Sequence, residues 1–240
     1  MYRPLKGVPI EACIKRTSTG WFASILCDVG EAPKKEEPKE YVGIDVGLSS
    51  FATLSTGEKI PNPRYYRESE VLLAERQRKL AKKKKRSKSR KKAKKLVAKT
   101  HQKITNQRLD FVRKLAKDLY KRFDFIAFEN LNIAGMAQNH CLSKSILDAA
   151  WGLFILCLTN KAEEAGKWAV GSNPYGTSQD CSGCGERVPK TLADREHVCP
   201  YCGLKLDRDH NAALNILALG RSVVSCGDSK EPPLAEAQKF

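Results

Sequence analysis

The sequence predicts an α/β fold: a mixed sheet flanked by helices and carrying a small metal-held module. Three observations predict it. Strand-like and helix-like hydrophobic patterns alternate from residue 41 onward. Two Cys-x2-Cys pairs lie fourteen residues apart near the end of the chain. Between the early strands and the next one, Lys82 to Lys103 carries thirteen Lys or Arg and no acid.

Taken in order, residues 10–29, "IEACIKRTSTGWFASILCDV", read as two strands around a Ser-Thr-Gly turn, a hairpin. A hairpin alone is not a stable domain. Residues 30–40, "GEAPKKEEPKE", are polar and Pro-punctuated, a linker. "YVGIDVGLSSFATLSTGEKI" then gives three strand-like runs in a meander. Residues 65–85 read as a helix with Val71, Leu72 and Leu80 facing inward, and 104–123 as an amphipathic helix with Phe111, Leu115 and Leu119 at i, i+4, i+8. A strand covers 123–131, "FDFIAFENL", and a helix covers 143–165. Residues 167–173 form a short strand, and a last helix runs over 210–219. The tail from Gly227 has the composition of a disordered segment.

The totals narrow the partner. A chain of 240 residues with 41% hydrophobic content supports one sizeable core, or a core and an appendage. Lys and Arg outnumber Asp and Glu by 43 to 27, a formal charge of +16, so a polyanion is the expected partner. Membrane is the rival for a basic chain. The longest apolar run, Ala149 to Leu158, is only about half of the ~20 residues that a spanning helix needs, so it reads as a core helix. The N-terminus has no apolar signal region. Cys13, Cys27, Cys141, Cys157 and Cys226 follow no spacing, which suits a reducing cytoplasm better than a disulfide framework.

In the basic run, Lys82, Lys83, Lys84, Lys85 and Arg86 are followed by Lys88, Arg90, Lys91, Lys92, Lys94 and Lys95. A solvated helical face or a disordered basic tail is the plain alternative. Like charges at this density repel unless phosphates neutralise them, so a basic helical surface for nucleic acid is expected. The run has no aromatics, so it would hold backbone rather than stack bases.

Cys181 and Cys184 with Cys199 and Cys202 make a strong metal signal. Two intervening residues let both thiolates of a pair turn onto one ion, and Gly183, Gly185 and Gly203 relax the turns. Four thiolates complete a closed tetrahedral zinc shell with no position for water, so the zinc is structural. His197 lies inside this module but has no vacant position to fill.

Three acids carry the other chemistry. Asp45 lies mid-strand in "YVGIDVG", where a carboxylate is costly to bury unless a cation meets it. Gly43 and Gly47 on its face leave a bare floor for a metal ion and a phosphate. Glu129 ends the strand "FIAFE". Asp209 precedes "HNAALNIL" and reads equally as a helix N-cap, and Asp207 is an equal candidate by residue type. Carboxylates converging from two strands and a helix start call for divalent cations. Two Mg²⁺ ions roughly 4 Å apart would activate water and stabilise the leaving oxygen of a phosphodiester. Mg²⁺ takes oxygen ligands and zinc takes thiolates, so the two sites need not compete.

At these residues the chain resembles a known family. "GIDVGLSSFA", "FENLNIAGM", "LSKSILDAAWG", "NPYGTSQDCSGCG" and "CPYCGLKLDRDHNAALNIL" are similar, in this order, to the TnpB (OrfB) proteins of insertion sequences, relatives of the type V CRISPR effectors. The resemblance implies an RNase H-like (RuvC-like) nuclease with an inserted zinc ribbon. It also implies a guide RNA from the same element directing DNA cleavage. By motif it assigns Asp45, Glu129 and Asp209 as the catalytic Mg²⁺ ligands, favouring Asp209 over Asp207, and Cys181, Cys184, Cys199 and Cys202 as the zinc ligands. The implied organisation is a remnant hairpin of an N-terminal barrel (1–29), a linker (30–40) and a nuclease core (41–175) that includes basic helices 65–122. A zinc ribbon (176–204), a last nuclease segment (205–226) and the tail (227–240) follow. Most of the family's N-terminal barrel and helical recognition domain is not represented here. Family members often carry Asp where this chain has Asn130, and a hydroxyl residue at Asp180. The alternative expectation is a nucleic-acid-binding product without autonomous guided cleavage.

Overall fold

The computed structural model describes residues 4–17, 20–191 and 194–225. Ser18 and Thr19 of the first turn, Cys226 and the tail lie outside the described residues. The chain divides into two units, residues 1–33 with 64–111 and residues 34–63 with 112–240. The basic helical segment through residue 111 groups with the N-terminal hairpin in the first unit.

In the first unit, β1 (Val8–Arg16) and β2 (Trp21–Asp28) pair antiparallel as expected. Helix α1 (Tyr65–Ala81) then leads into α2 (Lys88–Arg122), whose residues from Val112 onward belong to the second unit. The inward face expected for α1 is corrected: Val71 is 78% exposed and Leu72 is exposed, while Leu73 is buried. At 100° per residue Leu73 shares its face with Arg76, and Arg76 Nη1 donates to Thr100 Oγ1 of α2 at 2.6 Å. That polar residue on the inner stripe is what the apolar pattern hid.

In the second unit, a five-stranded sheet has the order β5-β4-β3-β6-β7. β3 (Tyr41–Val46), β4 (Ser50–Leu54) and β5 (Lys59–Pro61) form the expected antiparallel meander. β6 (Phe125–Glu129) joins β3 in parallel, and β7 (Trp168–Ser172) joins β6 in parallel. The sheet is therefore mixed, as the pattern predicts. α3 (Ile133–Met136) follows β6. The helix expected over 143–165 is two, α4 (Ser143–Ala149) and α5 (Trp151–Ala165), broken at Ala150 with φ 57°. Nothing in the Ala-Ala-Trp sequence marks that break, because alanine favours helix.

α6 (Arg208–Ser225) is longer than its apolar pattern and lies directly on the sheet. Gly220 leaves room for Ala127 of β6, since a Cβ there would stand 2.5 Å from the alanine's. Ala212, Ala213 and Ile216 are buried beneath the helix. The alternate residues of the central strands, Val42, Ile44, Ile126 and Phe128, are buried as well, so both sheet faces are covered. Phe154 of α5 meets Phe51 of β4 edge-on, ring centroids 5.1 Å apart. Between β7 and α6 lies a cysteine-bearing insertion whose two-stranded sheet pairs β8 (Glu196–Val198) with β9 (Lys205–Asp207). β9 pairs with β8 of the insertion rather than with the five-stranded sheet, and α6 follows it directly.

Candidate nuclease and zinc centres

β3 and β6 run parallel with Ile44 beside Phe128. The next residue on each strand is an acid, so Asp45 and Glu129 emerge side by side at the same end of the sheet. α6 brings Asp209 to that end in its first turn. The three carboxylates are close enough to act on one another. Burial, then the charge of Glu129, then that of Asp209, push the Asp45 carboxyl well above the usual aspartate range, with Arg208 opposing. Burial also raises Glu129, against a hydrogen bond donated by Thr177 Oγ1 to its Oε1. Asp209 Oδ1 accepts from Nε and Nη2 of Arg208, both at 3.3 Å.

The two neighbouring aspartates separate by partner. Asp207 Oδ1 accepts from the backbone N–H of Asp209 at 3.1 Å and of His210 at 3.2 Å, capping α6. Its Oδ2 pairs with Lys59 Nζ at 2.6 Å. Burial raises the Asp207 carboxyl, but Lys59 and the two N–H donors outweigh it and hold the group below its usual range. Asp207 is therefore the cap, which leaves Asp209 facing the acids.

The bare floor expected beside Asp45 is corrected on one side. A Cβ at Gly43 would lie 2.1 Å from the Ala213 carbonyl oxygen and 2.8 Å from Leu217 Cβ. α6 fills that space, and Gly43 admits the helix rather than a metal or phosphate. The helix approach that Gly43 permits is what carries Asp209 to Asp45.

The cysteines converge as their spacing predicts. The ligand atoms of Cys181, Cys184, Cys199 and Cys202 all lie within 4.8 Å of one another. Cys181 Sγ lies 3.6 Å from Cys202 Sγ, and Cys184 Sγ 3.6 Å from Cys199 Sγ. Four sulfurs at about 2.3 Å from one ion stand about 3.8 Å apart in a tetrahedron, so the four-cysteine cluster fits zinc. Each pair sits on a knuckle closed by a glycine N–H. Gly185 (φ 80°) donates to the Cys181 carbonyl at 2.8 Å, and Gly203 (φ 76°) to that of Cys199 at 3.0 Å. His197 is buried outside the cluster.

The insertion is fastened to α6 at its root. Asn211 Nδ2 donates to the Asp180 carbonyl at 2.8 Å, and Asn211 Oδ1 accepts from Ser182 N–H at 3.0 Å. One turn on, Asn215 Nδ2 donates to the carbonyls of Thr177 (2.8 Å) and Asp180 (2.7 Å). Sequence reasoning singled out none of Thr177, Arg208, Asn211 or Asn215 for a role. The i, i+4 spacing of the two asparagines within the apolar stretch of α6 was the usable signal.

The basic run is a reversal followed by a helix, not a continuous helical surface. α1 stops at Ala81, and Lys82–Ser87 form the connection. Lys82, Lys83, Lys84, Lys85, Arg86, Lys88, Lys91, Lys92, Lys94 and Lys95 are exposed. Arg90 is spent on structure, its Nη1 donating to the carbonyls of Leu80 at 3.0 Å and Lys83 at 3.1 Å.

The fold and site define a class: a RuvC-like nuclease fold with an inserted four-cysteine ribbon. Cas12f1 in its complex with sgRNA and target DNA superposes with a TM-score of 0.54 at 18% identity, over 85% of this chain and 55% of that one. A second CRISPR-Cas12f ternary complex gives 0.55 at 21% identity, over 85% and 44%. The family model for OrfB_IS605, described as "Probable transposase", matches residues 24–140, and the Cas12f1-like TNB domain matches 151–216. A "Putative RNA-guided DNA endonuclease" of Streptomyces pristinaespiralis is 38% identical over 227 residues, 93% of this chain and 56% of that protein. The similarly described InsQ of Escherichia coli K12 is 28% identical over 242 residues, 94% and 60%. The chain belongs to the TnpB (OrfB) family, and it spans between half and two thirds of the length of these relatives. No helix among the described residues is long and apolar enough to cross a membrane.

Proposed function

We propose that this chain acts as a TnpB-type endonuclease that cleaves DNA under the direction of an RNA from its own element, working in the cytoplasm and at the nucleoid when bound to DNA. The observation that carries the reading is the convergence of Asp45, Glu129 and Asp209 from two parallel strands and a helix start. Asp45 and Glu129 are held above their usual ionisation range by burial, the condition in which a cation is the natural complement.

Asp45, Glu129 and Asp209 would hold two Mg²⁺ ions, which when bound generate hydroxide from water and stabilise the leaving oxygen of the phosphodiester. Arg208, beside Asp209, supplies a positive charge at the edge of the acids. Asp207 takes no part beyond fixing the start of α6. Cys181, Cys184, Cys199 and Cys202 would hold a structural zinc. The exposed lysines after α1 would bind phosphates without reading sequence.

The test is cleavage of labelled single- and double-stranded DNA with Mg²⁺, with and without RNA co-expressed from the same locus. RNA-dependent cutting supports the reading. Salt-sensitive binding with no cutting under any guide overturns it and leaves a nucleic-acid-binding product.

A further inference from the structure

Thr177 is nearly fully buried, yet its hydroxyl is directed at an acid on a different element. Oγ1 donates to Glu129 Oε1, with the Pro174 carbonyl as its alternative acceptor at 3.3 Å. A hydroxyl has one proton to give, so it can occupy one position of the carboxylate and leave the rest of its lone pairs for a cation.

What holds Thr177 is equally specific. Its carbonyl accepts from Asn215 Nδ2, and the same amide donates to the Asp180 carbonyl, one residue before Cys181. Asn211, a turn earlier, grips Asp180 and Ser182 on either side of that cysteine. The same helix carries Asp209 in its first turn. One short segment, residues 177–182, therefore touches Glu129 at one end and the first metal-binding knuckle at the other, while α6 clamps it between.

We propose that Thr177 is a positioning residue that sets the Glu129 carboxylate for the divalent ion and makes that setting depend on how the ribbon root docks on α6. It rests on the reading of Glu129 as a metal ligand. Outer partners that orient ligating carboxylates are worth about 10- to 100-fold in metal affinity. The contacts also form a continuous chain, and coupling between two sites is reciprocal. Loosening the ribbon root should weaken ion binding at the acids, and ion binding should tighten the root.

The experiment uses the zinc-loaded full chain and Mn²⁺ as the probe, titrated by electron paramagnetic resonance. Thr177→Val keeps the shape and removes the hydroxyl, and Thr177→Ser restores the hydroxyl. Thr177→Val is expected to weaken Mn²⁺ binding about tenfold, with zinc content and melting temperature close to the wild type. Thr177→Ser is expected to bind within about threefold of the wild type, and Asn215→Ala to fall between. In guided cleavage, Thr177→Val should raise the Mg²⁺ concentration needed for half-maximal rate more than it lowers the saturated rate. Mn²⁺ binding by Thr177→Val equal to the wild type overturns the proposal, as does Thr177→Ser behaving like Thr177→Val. Wild-type chain that binds Mn²⁺ no better than Asp45→Ala would instead defeat the metal-site reading itself.

Discussion

Gly43→Ala probes the contact on which the site depends. The backbone at Gly43 has a φ open to any residue, so the cost is purely one of space. The new Cβ would stand 2.1 Å from the Ala213 carbonyl oxygen, against about 3.3 Å for an ordinary carbon–oxygen contact. α6 must therefore recede by roughly an ångström, and the obstructing atoms are helix backbone and Leu217 Cβ, which cannot rotate away. Overpacking of this kind costs about 1–3 kcal/mol, and the rigid partners put it at the upper end. For a unit of this size about 3 kcal/mol lowers the melting temperature by roughly 6–12 °C. Asp209 moves with α6, and a misplacement of about 1 Å at reacting groups can cost around 100-fold in rate. The assays are thermal melting by circular dichroism and guided cleavage well below the transition. Gly47→Ala is the control, its Cβ being 3.1 Å from the Ser50 carbonyl oxygen, and it should cost much less. A Gly43→Ala chain that melts within about 2 °C of the wild type and cuts normally would refute the reasoning.

Other perturbations separate the remaining parts. Cys181→Ser with Cys184→Ser should take zinc from about one per chain to none and raise amide exchange across the ribbon through β9; retained zinc would contradict the four-thiolate site. In Mg²⁺-free buffer, Asp45→Asn should raise the melting temperature at pH 7–8. The raised Asp45 carboxyl contributes stability below the ordinary aspartate pKa and loses it as pH climbs through its folded value. That gain should shrink toward pH 4 and reverse when Mg²⁺ is present; a gain that grows on acidification would show the sign to be wrong. Replacing Lys91, Lys92, Lys94 and Lys95 with alanine should flatten the salt dependence of duplex binding by as much as about 3–4 in log–log slope. Arg90→Ala should instead destabilise the α1–α2 connection, because its guanidinium holds the Leu80 and Lys83 carbonyls.

The strands, the three acids and the four cysteines were legible because each rests on local spacing. "YVGID" and "FIAFE" alternate or run apolar to a terminal acid, and the parallel pairing of β3 with β6 sets those acids side by side. The paired knuckles announce themselves by two-residue gaps and glycines. What the sequence concealed depends on tertiary choice. Leu73 and Val71 are alike in composition, and the one buried is Leu73, on the face from which Arg76 reaches Thr100. Ala150 adopts φ 57° inside an apolar run and ends α4, where helix propensity alone would continue the helix. β9, which starts three residues past Cys202, finds its partner in β8 rather than in the five-stranded sheet. Gly43 looked like an open floor because the helix that covers it lies about 170 residues away in sequence. Asp207 and Asp209 are alike as residues, and hydrogen bonding to the α6 N-terminus tells them apart.

The central claim is that three acids from β3, β6 and α6 form one metal-dependent cleavage site. Asp45→Asn, Glu129→Gln and Asp209→Asn, each zinc-loaded and bound to the locus RNA, test it in a single Mg²⁺-dependent cleavage assay run beside a DNA-binding assay. Each of the three substitutions should abolish cutting while binding stays near that of the wild type, and Asp207→Asn should retain cutting. Full cleavage by any one of the three, or loss confined to Asp207→Asn, would contradict it.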